Sequence, residues 1–117
     1  MRNDSIVYEK SFKFAKRIIK LYKFLVYEKK ERVISHQIMK SGTSIGANIS
    51  EATYAQSRKD FINKMSVALK EANETEYWIA LLEEEYISKK EADSLLSDVM
   101  EILKMLVSIV KNSKENE

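Results

Sequence analysis

Six cations recur through the first quarter of the chain at spacings that gather them on one side of a helix: Lys10, Lys13, Lys16, Arg17, Lys20 and Lys23, with Phe24 among them. No acidic residue falls between Lys10 and Lys23. Positive groups clustered in this way neutralise phosphates and release counterions. The resulting affinity for nucleic acid ignores base sequence and falls steeply with salt. Two other uses of the same residues stand beside this one. They are a solvated lysine face, the commonest role of lysine on helices, and pairing with the acidic half of a neighbouring molecule.

Other chemistry finds no foothold. A di-iron centre inside four helices needs Glu-x-x-His pairs, but the single histidine is His36 and Val33 stands three residues before it. His36 has no evident serine partner for nucleophilic catalysis, and there is no cysteine, which removes disulfides and thiolate zinc sites. Gly42-Thr-Ser-Ile-Gly46 lacks the Gly-Lys-Ser/Thr ending of a phosphate loop. Glu83-Glu84-Glu85 occupies consecutive helical positions that point in different directions, which suits a solvated end better than a metal site. The sequence therefore predicts no catalytic residue, no metal and no cofactor.

The elements that must carry the cations are helices. Apolar residues recur at alternating steps of three and four in four successive segments, the mark of rods packed at shallow angles. The first stripe is Tyr8, Phe12, Ala15, Ile19, Tyr22, Val26. The third runs from Phe61 through Met65, Ala68, Ala72, Thr75, Ile79 and Leu82 to Tyr86, and the fourth is Ala92, Leu95, Val99, Ile102, Leu106, Ile109. In the second segment two glycines weigh about 2 kcal/mol against a helix. The stripe Ile34, Ile38, Ser41, Ile45, Asn48, Ala52, Ala55 nevertheless keeps its phase through them, so one continuous helix is predicted. Ser57…Asp60 and Ser88…Glu91 read as capping boxes opening the third and fourth helices. The expected fold is all-α, an antiparallel up-down-up-down four-helix bundle in one domain over 1–117. Its helices span about 5–28, 32–55, 58–86 and 89–111, with a frayed tail over 112–117.

Composition agrees. There is no proline, 32% of residues are charged and 44% are apolar. The net charge of +2 conceals a split. Residues 1–50 hold eleven Lys/Arg against four Asp/Glu, and residues 51–117 hold nine against fourteen. No apolar run resembles a signal peptide or a membrane span, and a cytoplasmic protein is expected.

Self-association is also expected. On helical geometry the apolar arc of the first helix covers about half its circumference, wider than a simple bundle requires. Phe14, Leu21 and Leu25 form the surplus flank, and Trp78 and Leu81 lie off the main stripe of the third helix. Gly42 and Gly46, with Ser50 continuing the line, would admit another backbone closely, either within the chain or from a second copy. Ser41 and Asn48 fall at core positions, where a buried polar group fixes register and oligomer state. Asn48 is expected to bond a side chain on a facing helix.

The chain also resembles the four-helix bundle family encoded by intervening sequences of bacterial 23S ribosomal RNA genes. The matching strings are Lys40-Ser-Gly-Thr-Ser-Ile-Gly-Ala-Asn-Ile49 with Glu51-Ala52, Asp60-Phe-Ile-Asn-Lys64, Ala68-Leu-Lys-Glu-Ala72 and Glu74-Thr-Glu-Tyr-Trp78. The resemblance runs from Phe12 into the fourth helix. It departs at Ser50, where the family usually has alanine, and at Thr53-Tyr54, where Gln-Gly is common. What it implies is a ring-like pentamer. A related branch, the accessory protein of diversity-generating retroelements, is a basic pentameric barrel that binds a reverse transcriptase and nucleic acid. The family brings no agreed catalytic residues. The function expected is a homo-oligomeric scaffold that binds RNA or a ribonucleoprotein through the cations of the first helix. The other reading is a protein adaptor without nucleic-acid affinity.

Overall fold

The structure, a computed structural model, describes residues 2–116, with side chains from Ile6 onward. Four helices follow one another: α1 (Arg2–Tyr27), α2 (Ile34–Thr53), α3 (Arg58–Leu82) and α4 (Lys89–Glu115). Among the described residues no strand forms, only an isolated bridge between Glu83 and Ile87. Each helix touches two others in the cycle α1–α2–α3–α4–α1 around one hydrophobic cluster. The whole measures 47 × 22 × 18 Å. No helix is long and apolar enough to cross a membrane.

Helix α2 runs unbroken through Ser41–Asn48, as its phase required. Both glycines are buried, and neither has a positive φ. A side chain built on Gly42 would meet Ile18 of α1, and one on Gly46 would meet Ser11. The glycines are thus where α1 lies down on α2.

That seat decides which face of α1 is inward, and it corrects the expectation. Val7, Ser11, Phe14, Ile18, Leu21 and Leu25 are buried, so Phe14, Leu21 and Leu25 belong to the core of a single chain and not to a surplus flank. Phe12 is 50% exposed and Tyr8 is 36% exposed, while Ala15, Ile19, Tyr22 and Val26 are half-buried. The two stripes are neighbouring heptad phases of one helix. Only the phase that puts Ser11 opposite Gly46 fits, because a phenylalanine there would collide with α2.

The ends differ in detail from the expected ones. Helix α3 stops at Leu82, with Glu84 at φ 77 turning the chain, so that Tyr86 and Ile87 fold back over the core. Three successive carboxylates would sit badly at the negative end of a helix dipole. Helix α4 continues to Glu115, through most of the segment expected to fray, with Lys114 in its last turn. Glu117, also in that segment, lies outside the described residues. Ser57 Oγ accepts from the Asp60 N–H and Ser88 Oγ from the Glu91 N–H, each at 3.1 Å.

Helix α2 opens on a cap that spacing did not reveal. Lys30 turns the chain at φ 57, and the nearly buried Glu31 carboxylate accepts from the N–H groups of Val33, Ile34 and Ser35 at 3.0, 2.9 and 2.7 Å. Burial works against its charge, but these hydrogen bonds outweigh that and hold the carboxyl below its ordinary value of 4.5. A depressed carboxylate contributes stability above its unfolded value and loses it as pH falls through the lower folded value. Glu31→Gln is expected to cost about 1–2 kcal/mol at neutral pH. The deficit should close as pH falls below about 4.5, which urea midpoints measured down to acid pH would check.

Candidate nucleic-acid interface

The six cations of α1 fall into two groups. Lys10 and Arg17 lie on the flank facing α4. Lys10 Nζ is 3.1 Å from Glu101 Oε1, Arg17 Nη1 is 2.7 Å from Asp98 Oδ2 and Arg17 Nη2 is 3.3 Å from Glu91 Oε1. These two cations are spent on holding α1 against α4 and do not belong to a free basic face, which corrects that part of the expectation. Partly exposed pairs of this kind are individually weak, but two carboxylates on one guanidinium orient it toward α4.

The other four, Lys13, Lys16, Lys20 and Lys23, are exposed and have no carboxylate within ion-pair distance among the described residues. They recur at steps of three, four and three on the side opposite the core, over about 15 Å of helix. Aromatic side chains flank them: Phe12, Phe24 and Tyr27 are exposed by 50%, 39% and 65%. Lys16 Nζ stands 5.0 Å from the Phe12 ring centroid, and Tyr8 and Phe12 lie 6.1 Å apart by centroids. The surface therefore offers unneutralised ammonium groups beside the exposed Phe24 and Tyr27 rings, the pairing that holds a phosphate backbone with stacked bases.

The remaining expected residues are not drawn to this face. Ser41 is buried, and its Oγ lies 2.8 Å from Thr75 Oγ1 on α3, joining the two helices in the core. Thr75 Oγ1 also donates to the Glu71 carbonyl at 2.8 Å. Asn48 is half-buried and donates to the Ser44 carbonyl of its own helix at 2.8 Å, not to a facing helix. Trp78 is half-buried against the core and donates to Glu74 Oε2 at 3.1 Å, with Tyr77 edge-on to it at 5.1 Å. His36 is exposed. Among the described residues no group of three His, Asp or Glu is placed to hold a metal ion. Residues the spacing missed are Asp98, Glu91 and Glu101. They decide which cations are free, yet nothing near α1 in the sequence announces them.

A family model described as 23S rRNA-intervening sequence protein matches residues 3–108. Among solved structures, one of a protein with unknown function from the S23 ribosomal protein family of Bacteroides thetaiotaomicron VPI-5482 is similar, with a TM-score of 0.91 and 60% identity. The match covers 93% of this chain and 98% of that one. No curated protein matches.

Proposed function

Because the chain belongs to the 23S rRNA-intervening sequence protein family, we propose that it is a non-enzymatic, cytoplasmic, homo-oligomeric scaffold binding RNA or a ribonucleoprotein. Its contact surface is the outer face of α1. The observation that carries the reading is the set of four lysines, Lys13, Lys16, Lys20 and Lys23, exposed together without carboxylate partners among the described residues. The family name, which ties these proteins to ribosomal RNA genes, supports it without identifying the ligand.

Two finer features belong to the same proposal. Connections of six, four and six residues join helices of 20 to 27 residues, which supports an antiparallel up-down-up-down bundle. The half-exposed stripe of Tyr8, Phe12, Ala15, Ile19, Tyr22 and Val26 supports burial against a second copy, in a ring-like assembly such as a pentamer. This stripe, not Phe14, Leu21 and Leu25, is the apolar surface of α1 available to a neighbour.

The test is charge reversal. Lys13, Lys16, Lys20 and Lys23 are changed together to glutamate, and Arg17 is left alone because its loss would loosen α4. Four phosphate contacts give a slope of log affinity on log salt of about −3 for single-stranded RNA. The quadruple variant should lose binding at near-physiological salt, and its slope should flatten. Retention of RNA with an unchanged slope would refute the proposal. Absence of RNA affinity in the native protein would replace it with the protein-adaptor reading.

A further inference from the structure

Between the second half of α1 and the chain leading from α3 into α4 lies a cavity of about 560 Å3. Its floor is apolar, made by the buried Leu21, Ile87 and Leu95. Its aromatic members are Phe24, 39% exposed, and the half-buried Tyr86. The cavity exists because Tyr86 and Ile87 fold back after Leu82 and do not continue α3, so the turn stands beside α1 at its last turns.

The rim is charged, and unequally so. Arg17, Lys20 and Lys29 face a single carboxylate, Glu91, which already holds Arg17 together with Asp98. Lys20 and Lys29 have no carboxylate partner among the described residues. Lys29 Nζ stands 5.7 Å from the Phe24 ring centroid, which keeps its charge at the aromatic edge of the opening. A concave site of this size with an apolar floor suits a small molecule. Two unpaired ammonium groups on the rim of an opening lined by Phe24 and Tyr86 ask for an anion that carries a flat apolar body. A neutral hydrophobe would leave the lysines unanswered, and a bare inorganic anion would leave the floor and rings in water.

We propose that this cavity is a binding site for a planar organic anion, an aromatic carboxylate, sulfonate or phosphate, held with its ring against Phe24 and Tyr86 and its charge between Lys20 and Lys29. The site is distinct from the outer lysine face, with which it shares Lys20 and Phe24. It does not require that RNA be bound.

The probe is 1-anilinonaphthalene-8-sulfonate, titrated by fluorescence into the full-length protein. Saturable binding to the native protein is expected. Lys29→Glu, an exposed change in the α1–α2 connection, and Phe24→Ala should each weaken it about tenfold. Lys23→Glu, on the outer face, should leave it unchanged. Circular dichroism establishes that each variant is folded, and Lys29→Glu keeps the test decisive if Phe24→Ala is not. 2-Naphthoate should displace the probe, whereas 2-naphthol and inorganic phosphate should not. No saturable binding by the native protein, equal loss in Lys23→Glu, indifference to Lys29→Glu, or displacement by phosphate alone would each overturn the assignment.

Discussion

Phe14→Ala is expected to destabilise the folded chain by about 4 kcal/mol, while Phe12→Ala, two residues away, costs less than about 1 kcal/mol of intrachain stability. Phe14 is 1% exposed in the hydrophobic cluster, and truncation would leave a cavity that rigid helices fill only partly. Phe12 is half exposed; it packs beside Tyr8 and the Lys16 ammonium, and contacts of that kind are worth little in water. Urea midpoints of the two variants should therefore differ widely. Self-association should rank them in a different way. If the Tyr8–Val26 stripe is covered by a second copy, Phe12→Ala lowers the light-scattering mass and removes the dependence of the midpoint on protein concentration. A Phe12→Ala protein that keeps the native mass would clear the stripe of that role. A Phe14→Ala protein of near-native stability would mean that α1 presents its other face to the core.

The difficulty with α1 shows what spacing can and cannot decide. In α4 the neighbouring phase is apolar as well, at Leu96, Met100, Leu103, Val107 and Val110, but it opens on Asp93, and all six residues of the predicted phase are buried. In α2 the phase survived two glycines because Ile38, Ser41, Ile45 and Ala52 stay inward whatever the local propensity. On α1 two adjacent phases are both largely apolar, and periodicity cannot rank them. The deciding fact is steric and non-local, since Ser11 is small where Gly46 brings α2 close. The basic face was legible as a face. Its division was not, because the carboxylates that neutralise Arg17 stand 74 and 81 residues further along the chain. Glu31 escaped for the opposite reason. It lies three residues before Ile34, within a run of charges, and only the turn at Lys30 aims its carboxylate at the start of α2.

The same steric fact makes the two glycines unequal, although the sequence presents them as a pair. A Cβ on Gly42 would lie 2.8 Å from Ile18 Cγ1, 2.9 Å from Cγ2 and 3.3 Å from Cβ. These are atoms at the branch of a fully buried side chain, which has little freedom at χ1 on a helix. A Cβ on Gly46 would meet only Ser11 Oγ at 3.0 Å, with the next atom at 3.6 Å. Alanine gains about 1 kcal/mol over glycine in a helix interior, and overpacking costs about 1–3 kcal/mol. At Gly42 the clash should win, so Gly42→Ala loses about 1–2 kcal/mol net. At Gly46 a shift of a few tenths of an ångström by one hydroxyl suffices, and Gly46→Ala should stay near neutral. Rescue identifies the cause. Ile18→Val keeps both clashing γ-carbons and cannot relieve Gly42→Ala. Ile18→Ala removes them, so that double variant should lose at least about 1 kcal/mol less than the sum of its parts. Equal stability of the two glycine variants, or additivity in the Ile18→Ala cycle, would show that α1 does not rest on Gly42, and the register of α1 would then need another origin.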